Sequence, residues 1–145
     1  FEASADLQSL GADPVFIGRQ IHRLPLNKLR FLGEILEKNL VLKPAEKLIV
    51  AVVPLDLWEK YDLPISDLDL LYSWLLGVQG YEHVLALKEQ AVGEIRVSWR
   101  SKGAAELNRL SAIFGGGGHA QAASFTLRNH KITIDDDGNY RLKAI

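Results

Sequence analysis

The sequence contains neither cysteine nor methionine in its 145 residues. Without cysteine the chain forms no disulfide bonds, and its composition indicates no particular redox compartment. No stretch approaches the roughly 20 apolar residues that are needed to cross a bilayer, and no basic segment followed by an apolar one opens the chain. These absences favour a soluble, cytoplasmic protein without membrane contact.

A strong excess of positive charge is also lacking, since 17 lysines and arginines face 18 aspartates and glutamates. Proteins that coat long nucleic acids through phosphate attraction need a strongly basic stripe, and the net charge of −1 argues against that class. The chain has instead a local group of cations, which suits a short anionic ligand. The group comprises Arg96, Arg100, Lys102, Arg109 and Arg128.

Residues with metal-ligand chemistry are not grouped in the sequence. The four histidines, at positions 22, 83, 119 and 130, include no pair with helical ligand spacing and an acidic partner. The acidic triplet at 135–137 lacks the glycine and glutamate positions of an EF-hand, and Asp-Gly is a common hairpin turn. We therefore expect no metal ligand in this chain.

The most informative stretch is the run of four glycines after Phe114, which is followed at once by His119. A sharp turn through glycines would direct several backbone N–H groups into one concavity, and a protonated imidazole would add another donor. Such a loop suits a phosphate. The P-loop and dinucleotide-binding fingerprints are absent. The alternative is a flexible hinge with a surface histidine, but the apolar residues on both sides of the run argue against a hinge.

Just upstream, residues 93–100 alternate strictly between apolar and polar side chains, which predicts a half-buried strand. Its open face would carry Arg96, Ser98 and Arg100. Guanidinium groups and a hydroxyl at intervals of roughly 6.5–7 Å match phosphate oxygens, although an ordinary solvated strand has the same pattern. A short helix predicted over 104–113 would return the glycine run to the same end of the molecule as Arg100.

These residues resemble a known family. The motif Val-Ser-Trp-Arg-Ser-Lys at 97–102, a short helix and then Phe-Gly-Gly-Gly-Gly-His-x-x-Ala-Ala at 114–123 look like the C-terminal domain that accompanies the Asp-His-His (DHH) phosphoesterases. The resemblance is specific over 88–125, looser over 7–80, and closest to bacterial oligoribonucleases and 3′-phosphoadenosine 5′-phosphate phosphatases. Two positions depart from the family pattern: Ser124 stands where glycine is usual, and Trp99 where a smaller apolar residue is common.

The resemblance implies a division of labour between two domains. In the family, an N-terminal Asp-His-His domain holds a pair of divalent metal ions, usually manganese, and performs hydrolysis, while the C-terminal domain binds the substrate. No residue of the present chain would then be catalytic or bind metal. The implied substrate-binding residues are Ser98, Arg100, Gly115, Gly116, Gly117, Gly118 and His119, with Arg96, Ser101 and Lys102 as further candidates.

The domain organisation follows from the same resemblance. The chain has no Asp-His-His motif and begins with Phe1, so we expect an upstream catalytic domain with Mn2+ or Mg2+ to be missing and this chain alone to be inactive. Residues 1–40 would be linking helices, and residues 41–145 the substrate-binding domain. The expected partners are that catalytic domain, a short RNA oligonucleotide or phosphorylated mononucleotide, and a second copy in a possible homodimer.

The order of elements predicts an α/β or α+β fold with one mixed β-sheet packed with helices. Helices are predicted at 3–10, 15–24, 26–40, 56–61, 67–76 and 104–113. Strands are predicted at 47–53, 83–92, 94–101 and 123–128, followed by a hairpin of 131–134 and 139–143.

The expected function is hydrolysis, as part of the whole protein, of short oligoribonucleotides, of 3′-phosphoadenosine 5′-phosphate, or of both. Two alternatives stay open. One keeps the family but changes the substrate to polyphosphate or to a cyclic or linear dinucleotide. The other is a non-catalytic RNA-binding domain, such as the related domain at the tail of alanyl-tRNA synthetases.

Overall fold

The structure is a computed structural model that describes residues 2–21, 23–65, 68–103 and 105–145. The helices are α1 (Glu2–Ser9), α2 (Pro14–Ile21), α3 (Leu26–Lys38), α4 (Leu55–Lys60), α5 (Asp69–Leu76) and α6 (Leu107–Ile113). The strands are β1 (Leu40–Lys43), β2 (Leu48–Val53), β3 (His83–Ala91), β4 (Glu94–Ser101), β5 (Gly117–His119), β6 (Ala122–Arg128), β7 (His130–Ile134) and β8 (Tyr140–Ala144). Apart from β1 and β5, each element lies close to a predicted one.

Within the described residues, six strands form one sheet in the order β1-β2-β3-β4-β6-β5, and β7 pairs with β8 in a separate hairpin. Strands β2 and β3 are parallel, whereas the other neighbouring pairs are antiparallel. The sheet is therefore mixed and packed with helices, and the predicted fold class is confirmed as α+β.

The two faces of this sheet have different coverings. We call the face that carries Val84 and Ala86 the front face; there β2 and β3 pack against α3, α4 and α5 in the main core. Helix α3 contributes Phe31, Leu32 and Ile35, whose spacing places three fully buried side chains on one stripe. These helices cover the front face over the first strands of the sheet.

The back face holds a second, smaller apolar cluster. Ile95, Val97 and Phe125 are buried there, on alternate positions of β4 and β6. The ring of Phe114, which follows α6, stacks on Phe125 with ring centroids 4.6 Å apart. The back face of these strands is thus closed by apolar packing.

Strand β1 corrects the prediction of one helix over 26–40. Helix α3 ends at Lys38, and Asn39 then joins the sheet: its backbone carbonyl accepts a hydrogen bond from the N–H of Val52, and its side-chain amide donates to the Val52 carbonyl at 3.1 Å. Leu40 follows the helical stripe in sequence, but these two contacts with a distant strand redirect the chain.

The hairpin at the end of the chain turns as the sequence predicts. Asp135 Oδ1 accepts hydrogen bonds from the backbone N–H groups of Asp137 and Asn139, and Gly138 has a left-handed φ of 81°. The bond from Asn139 is the main reason that the pKa of Asp135 is lowered. The acidic triplet therefore has a structural explanation as a turn. None of the helices in the described ranges is long and apolar enough to cross a membrane.

Candidate anion-binding site

Strand β4 presents a cationic row on the front face of the sheet. Its apolar residues lie on the back face, so Arg96, Ser98 and Arg100 share the front face, as the alternation predicts. The main core under α5 ends beside this row, and the front face of β4, β6 and β5 continues as a polar surface.

The register of the sheet places His119 level with Arg100. Ala122 on β6 pairs with Arg100 on one side and with His119 on the other. Neighbouring strands are about 4.8 Å apart, so the two backbones are separated by roughly 10 Å with one methyl group between them. The sequence-based expectation that the glycine run returns to the same end of the molecule as Arg100 agrees with this geometry.

A second row of paired residues lies two positions along each strand from Arg100, Ala122 and His119. Ser98 pairs with Ser124, which pairs in turn with Gly117. A Cβ atom built on Gly117 would meet nothing within 4 Å, so this end of the row is open. We call the surface formed by Arg96, Ser98, Arg100, Ser124 and His119 the cationic patch.

The four glycines do not form one continuous loop, and phosphate binding by this run stays a prediction. The chain turns at Gly115, where φ is 71°, and Gly117–His119 then form an edge strand of the sheet. A Cβ atom on Gly116 would collide with the Ser124 carbonyl, and one on Gly118 would lie 2.6 Å from Ala123 Cα. Two of the glycines are therefore required by close packing of the backbone against β6.

The two arginines of the patch hold their guanidinium groups differently. Arg100 donates from Nη1 to the Trp99 carbonyl at 3.0 Å, and its Cζ lies 4.7 Å from the ring centroid of Tyr72 on α5. Arg96 donates from Nη2 to Ser124 Oγ at 2.5 Å and from Nη1 to Thr126 Oγ1 at 3.4 Å. Both side chains are half-buried.

Neither arginine forms an ion pair with a carboxylate in the part of the chain that the structure describes. A carbonyl, two hydroxyls and a ring face carry no net charge, so the positive charge of both groups is left uncompensated. Ser98 lies between them with 5% of its surface exposed, and its hydroxyl has no hydrogen-bond partner among the described residues. This arrangement favours binding of an anion.

Two of the further candidates lie outside the patch. Ser101 is on the back face, where its hydroxyl accepts a hydrogen bond from the N–H of Gly103. Lys102 lies beyond the strand and donates to the carbonyls of Tyr81 and Val78. The hydrogen bonds of both residues stabilise the chain around the end of β4.

Sequence reasoning missed some residues of this surface. Thr126 and Ser124 alternate on β6 in the same way as the residues of β4, and that pattern could have identified them. Lys88 on β3 pairs with Arg96 on β4 and is only 2% exposed. The alternation of residues along β3 could have placed it on the same face as Arg96. No local signal pointed to Tyr72, because its contact with Arg100 depends on how α5 crosses the sheet.

The cationic patch does not fit a divalent metal ion. Its side chains are two guanidinium groups, two hydroxyls and one imidazole, and no carboxylate is among them. Over the described ranges, no three histidine, aspartate or glutamate side chains are grouped so that they could hold a metal. Guanidinium, hydroxyl and imidazole groups are instead the hydrogen-bond donors that suit an anion.

No protein-family model and no curated protein matches this chain. Among solved structures, an exopolyphosphatase-related protein from Bacteroides fragilis has a TM-score of 0.74 and 25% sequence identity, over 83% of this chain and 36% of that protein. A pGpG-specific phosphodiesterase from Vibrio cholerae has a TM-score of 0.52 and 13% identity, over 70% of this chain and 33% of that protein.

The fold is consistent with a DHH-associated phosphoesterase domain. The neighbour from Vibrio cholerae supports the fold alone, because its sequence identity is only 13%. The chain spans about a third of the length of each of these proteins, 36% and 33%.

Proposed function

We propose that the chain is the substrate-binding domain of a metal-dependent phosphoesterase that hydrolyses short oligoribonucleotides, 3′-phosphoadenosine 5′-phosphate, or both. The observation that carries this proposal is the placement of Arg100 and His119 on either side of Ala122, on the open front face of the sheet. The resemblance of 88–125 to the DHH-associated domains and the neighbour at 25% identity support the same assignment.

In this proposal the domain binds and orients the phosphate, and an upstream Asp-His-His domain with Mn2+ or Mg2+ performs hydrolysis in the cytoplasm. Arg100 offers fork-shaped N–H donors, Ser98 a hydroxyl and His119 an imidazole to the phosphate oxygens of the substrate. Their contribution to rate is neutralisation of charge and restriction of the substrate to one orientation. Residues 1–40 would connect the two domains.

Polyphosphate is a second candidate substrate, because the neighbour at 25% identity is described as exopolyphosphatase-related. The two candidates differ in the surface that they need, since a nucleotide requires room for a base and a ribose beside the phosphate. A mononucleotide that competes with polyphosphate and binds more tightly would favour the nucleotide. A cyclic or linear dinucleotide stays an alternative substrate within the same family.

Calorimetric titration of the 145-residue chain with 3′-phosphoadenosine 5′-phosphate tests the site. We expect Arg100→Ala and His119→Ala each to weaken binding about 10-fold or more, because each removes a donor to a charged oxygen. Arg109→Ala is the matched control: the Arg109 side chain is 74% exposed and pairs with Glu106, and its removal changes the net charge by the same amount as Arg100→Ala. Equal binding by the parent and by both patch variants would refute the assignment.

The hydrolytic part of the proposal needs the intact gene product. With manganese and a short RNA, the intact protein should release mononucleotides, and its Arg100→Ala variant should do so mainly with a raised KM. Failure of the intact protein to cleave short RNA, while it binds transfer RNA, would favour the non-catalytic RNA-binding alternative.

A further inference from the structure

We propose that a cavity between the start of α3 and the end of α4 binds a small aromatic carboxylate. No residue of the cationic patch lines this cavity, so the site is separate from the one described above. The inference goes beyond the proposed function and does not depend on it.

The cavity is of a size that suits a small ligand. Its volume of about 320 Å³ lies within the range of about 300–1,000 Å³ that is usual for small-molecule sites. Close-packed protein interiors contain few voids larger than a water molecule, so ordinary packing does not leave a space of this size. A molecule of one or two rings would fill it.

The walls of the cavity are apolar and include two aromatic rings. Phe31 and Trp58 both line it, with ring centroids 4.6 Å apart and ring planes inclined at 35°. Leu63 and Leu68 add aliphatic side chains. Aromatic rings pair favourably with further rings in offset or edge-to-face arrangements, so these walls suit a flat aromatic group.

The opening of the cavity is held in a fixed shape. Pro25, which precedes α3 with a φ of −63°, and Pro64 both line the cavity and are exposed. The side-chain amide of Asn27 donates to the Tyr61 carbonyl at 3.0 Å and ties the start of α3 to the end of α4. Because these segments are already ordered, they lose little conformational freedom when a ligand binds.

The charges at the cavity are positive. Arg23 and Lys28 line it, and none of its described lining residues is an aspartate or a glutamate. Neither cation takes part in an ion pair within the described ranges, although Lys28 is half-buried. A partly buried cation without a counter-charge favours an anion beside it, and a carboxylate accepts hydrogen bonds from both guanidinium and ammonium groups.

An unpaired hydrogen-bond donor belongs to the same walls. Trp58 is 2% exposed, and its indole N–H has no hydrogen-bond partner in the part of the chain that the structure describes. Leaving a buried N–H group without an acceptor is unfavourable. A ligand oxygen that enters the cavity would supply the missing acceptor.

The same walls disfavour a nucleotide. The polar side chains among the described lining residues are those of Arg23, Lys28 and Trp58, and all three are donors. The hydroxyls of a ribose and the polar atoms of a base would lose water without gaining enough partners. One carboxylate on an aromatic ring uses the available donors and leaves the apolar walls to the ring.

The test compares two probes of the same shape, naphthalene-2-carboxylate and the neutral naphthalene-2-carboxamide. Each is titrated into the isotopically labelled 145-residue chain, and the indole N–H signals of its tryptophans are followed by NMR, with Trp58→Phe to assign the signal of Trp58. We expect the carboxylate to shift that signal saturably and to bind about 10-fold more tightly than the carboxamide. The signal of Trp74 should not move, because Trp74 is 39% exposed but does not line the cavity.

Three variants separate charge from shape. Lys28→Gln should weaken the carboxylate about 5- to 10-fold and change the carboxamide by less than about 2-fold, because only the carboxylate uses the charge. Lys38→Gln is the matched control: it removes the same charge from the last turn of α3 and should leave both affinities unchanged. Leu63→Trp should fill the cavity and abolish binding of both probes, and urea unfolding shows whether that variant is folded.

Several results would overturn the proposal. Equal affinity of the parent for the two probes would mean a purely apolar cleft, such as one that a second copy of the chain covers. Equal losses in Lys28→Gln and Lys38→Gln, a Trp74 signal that moves as far as that of Trp58, or no shift at Trp58 would also contradict it. None of these measurements involves the cationic patch, so the proposed function stands or falls separately.

Discussion

The guanidinium of Arg100 lies over the aromatic ring of Tyr72, with 4.7 Å between Cζ and the ring centroid. Tyr72 is 4% exposed and belongs to α5, whose buried residues are part of the main core. The ring supports one face of the guanidinium, and the Trp99 carbonyl accepts a hydrogen bond from Nη1. A residue of the core thus supports the guanidinium group that we propose to bind phosphate.

Replacing this ring should weaken anion binding without removing the anion-binding side chain. A cation and an aromatic face attract each other by about 0.5–2 kcal/mol, so we expect Tyr72→Leu to weaken binding of 3′-phosphoadenosine 5′-phosphate about 2- to 30-fold. Tyr72→Phe is the control, because it keeps the ring under Arg100. The two variants would be compared by calorimetry, and equal affinities for Leu and Phe would contradict a supporting role of the ring.

Two neighbouring glycines should differ sharply in their tolerance of alanine. A Cβ atom on Gly116 would lie 2.5 Å from the Cβ of Phe125, so Gly116→Ala should lower the free energy of unfolding by about 1–3 kcal/mol. A Cβ atom on Gly117 has nothing within 4 Å. We therefore expect Gly117→Ala to unfold at nearly the urea concentration of the parent.

The same pair separates packing from binding. Gly117 lies in the row of Ser98 and Ser124, so a methyl group there would stand on the open end of the cationic patch. Gly117→Ala should keep the free energy of unfolding of the parent but weaken phosphate binding. Gly116→Ala should lower the free energy of unfolding. Comparable stability of the two variants would show that the strand β5 is packed more loosely against β6 than the structure indicates.

The front face of β4 could be predicted from the sequence because its signal is local. Side chains alternate between the two faces of any strand, and residues 93–100 alternate in polarity without interruption. The pattern therefore identified Arg96, Ser98 and Arg100 as neighbours before the partners of the strand were known. The positions of Gly93 and Gly138 at tight turns were predictable for the same reason, since their left-handed φ angles of 80° and 81° suit glycine.

Other features depend on contacts between distant residues. Glycine has a low intrinsic preference for strands, and Gly117–His119 pair with β6 because the following two-residue connection brings them alongside it. Ser124 attracted notice only as a departure from the family pattern, but its hydroxyl accepts a hydrogen bond from Arg96. Such roles require the register of the sheet, which periodicity along one strand does not give.

Glu89 should contribute strongly to stability through a single carboxylate. One oxygen accepts from the N–H of Leu55 at the start of α4 at 3.0 Å, and the other from the N–H of Ile132 on β7 at 2.7 Å. Because hydrogen bonds to charged groups are worth about 1.5–3 kcal/mol, Glu89→Ala should cost at least that much. Urea unfolding measures the loss.

Glu106→Ala is a suitable comparison for Glu89, because the Glu106 side chain is 69% exposed and its ion pair is with the exposed Arg109. Exposed ion pairs contribute about 0–1 kcal/mol, so this variant should stay close to the parent. Hydrogen exchange adds a local measurement: in Glu89→Ala the amide protons of Leu55 and Ile132 should exchange faster. Unchanged exchange at both amides would contradict the proposed link between α4 and β7.

The pH dependence of stability should reveal the cluster around Glu34. Its carboxylate accepts hydrogen bonds from Lys60 Nζ and Tyr61 Oη, each at 2.5 Å. The bond from Lys60, followed by that from Tyr61, lowers the pKa of Glu34 below its ordinary value of 4.5. The same contacts with Glu34 raise the pKa of Tyr61 above 10.0 and that of Lys60 above 10.5.

The signs of these shifts define the expected profile. A lowered carboxyl pKa stabilises the fold above pH 4.5, and that stabilisation is lost as the pH falls through the folded-state pKa. The raised pKa values of Tyr61 and Lys60 stabilise the fold at pH values below 10.0 and 10.5. That stabilisation is lost as the pH rises through the folded-state pKa values. The difference in free energy of unfolding between the parent and Glu34→Gln should therefore be largest between these limits and smaller on both sides. Urea unfolding at several pH values measures it, and a difference that did not change with pH would mean that Glu34 acts only as a neutral hydrogen-bond acceptor.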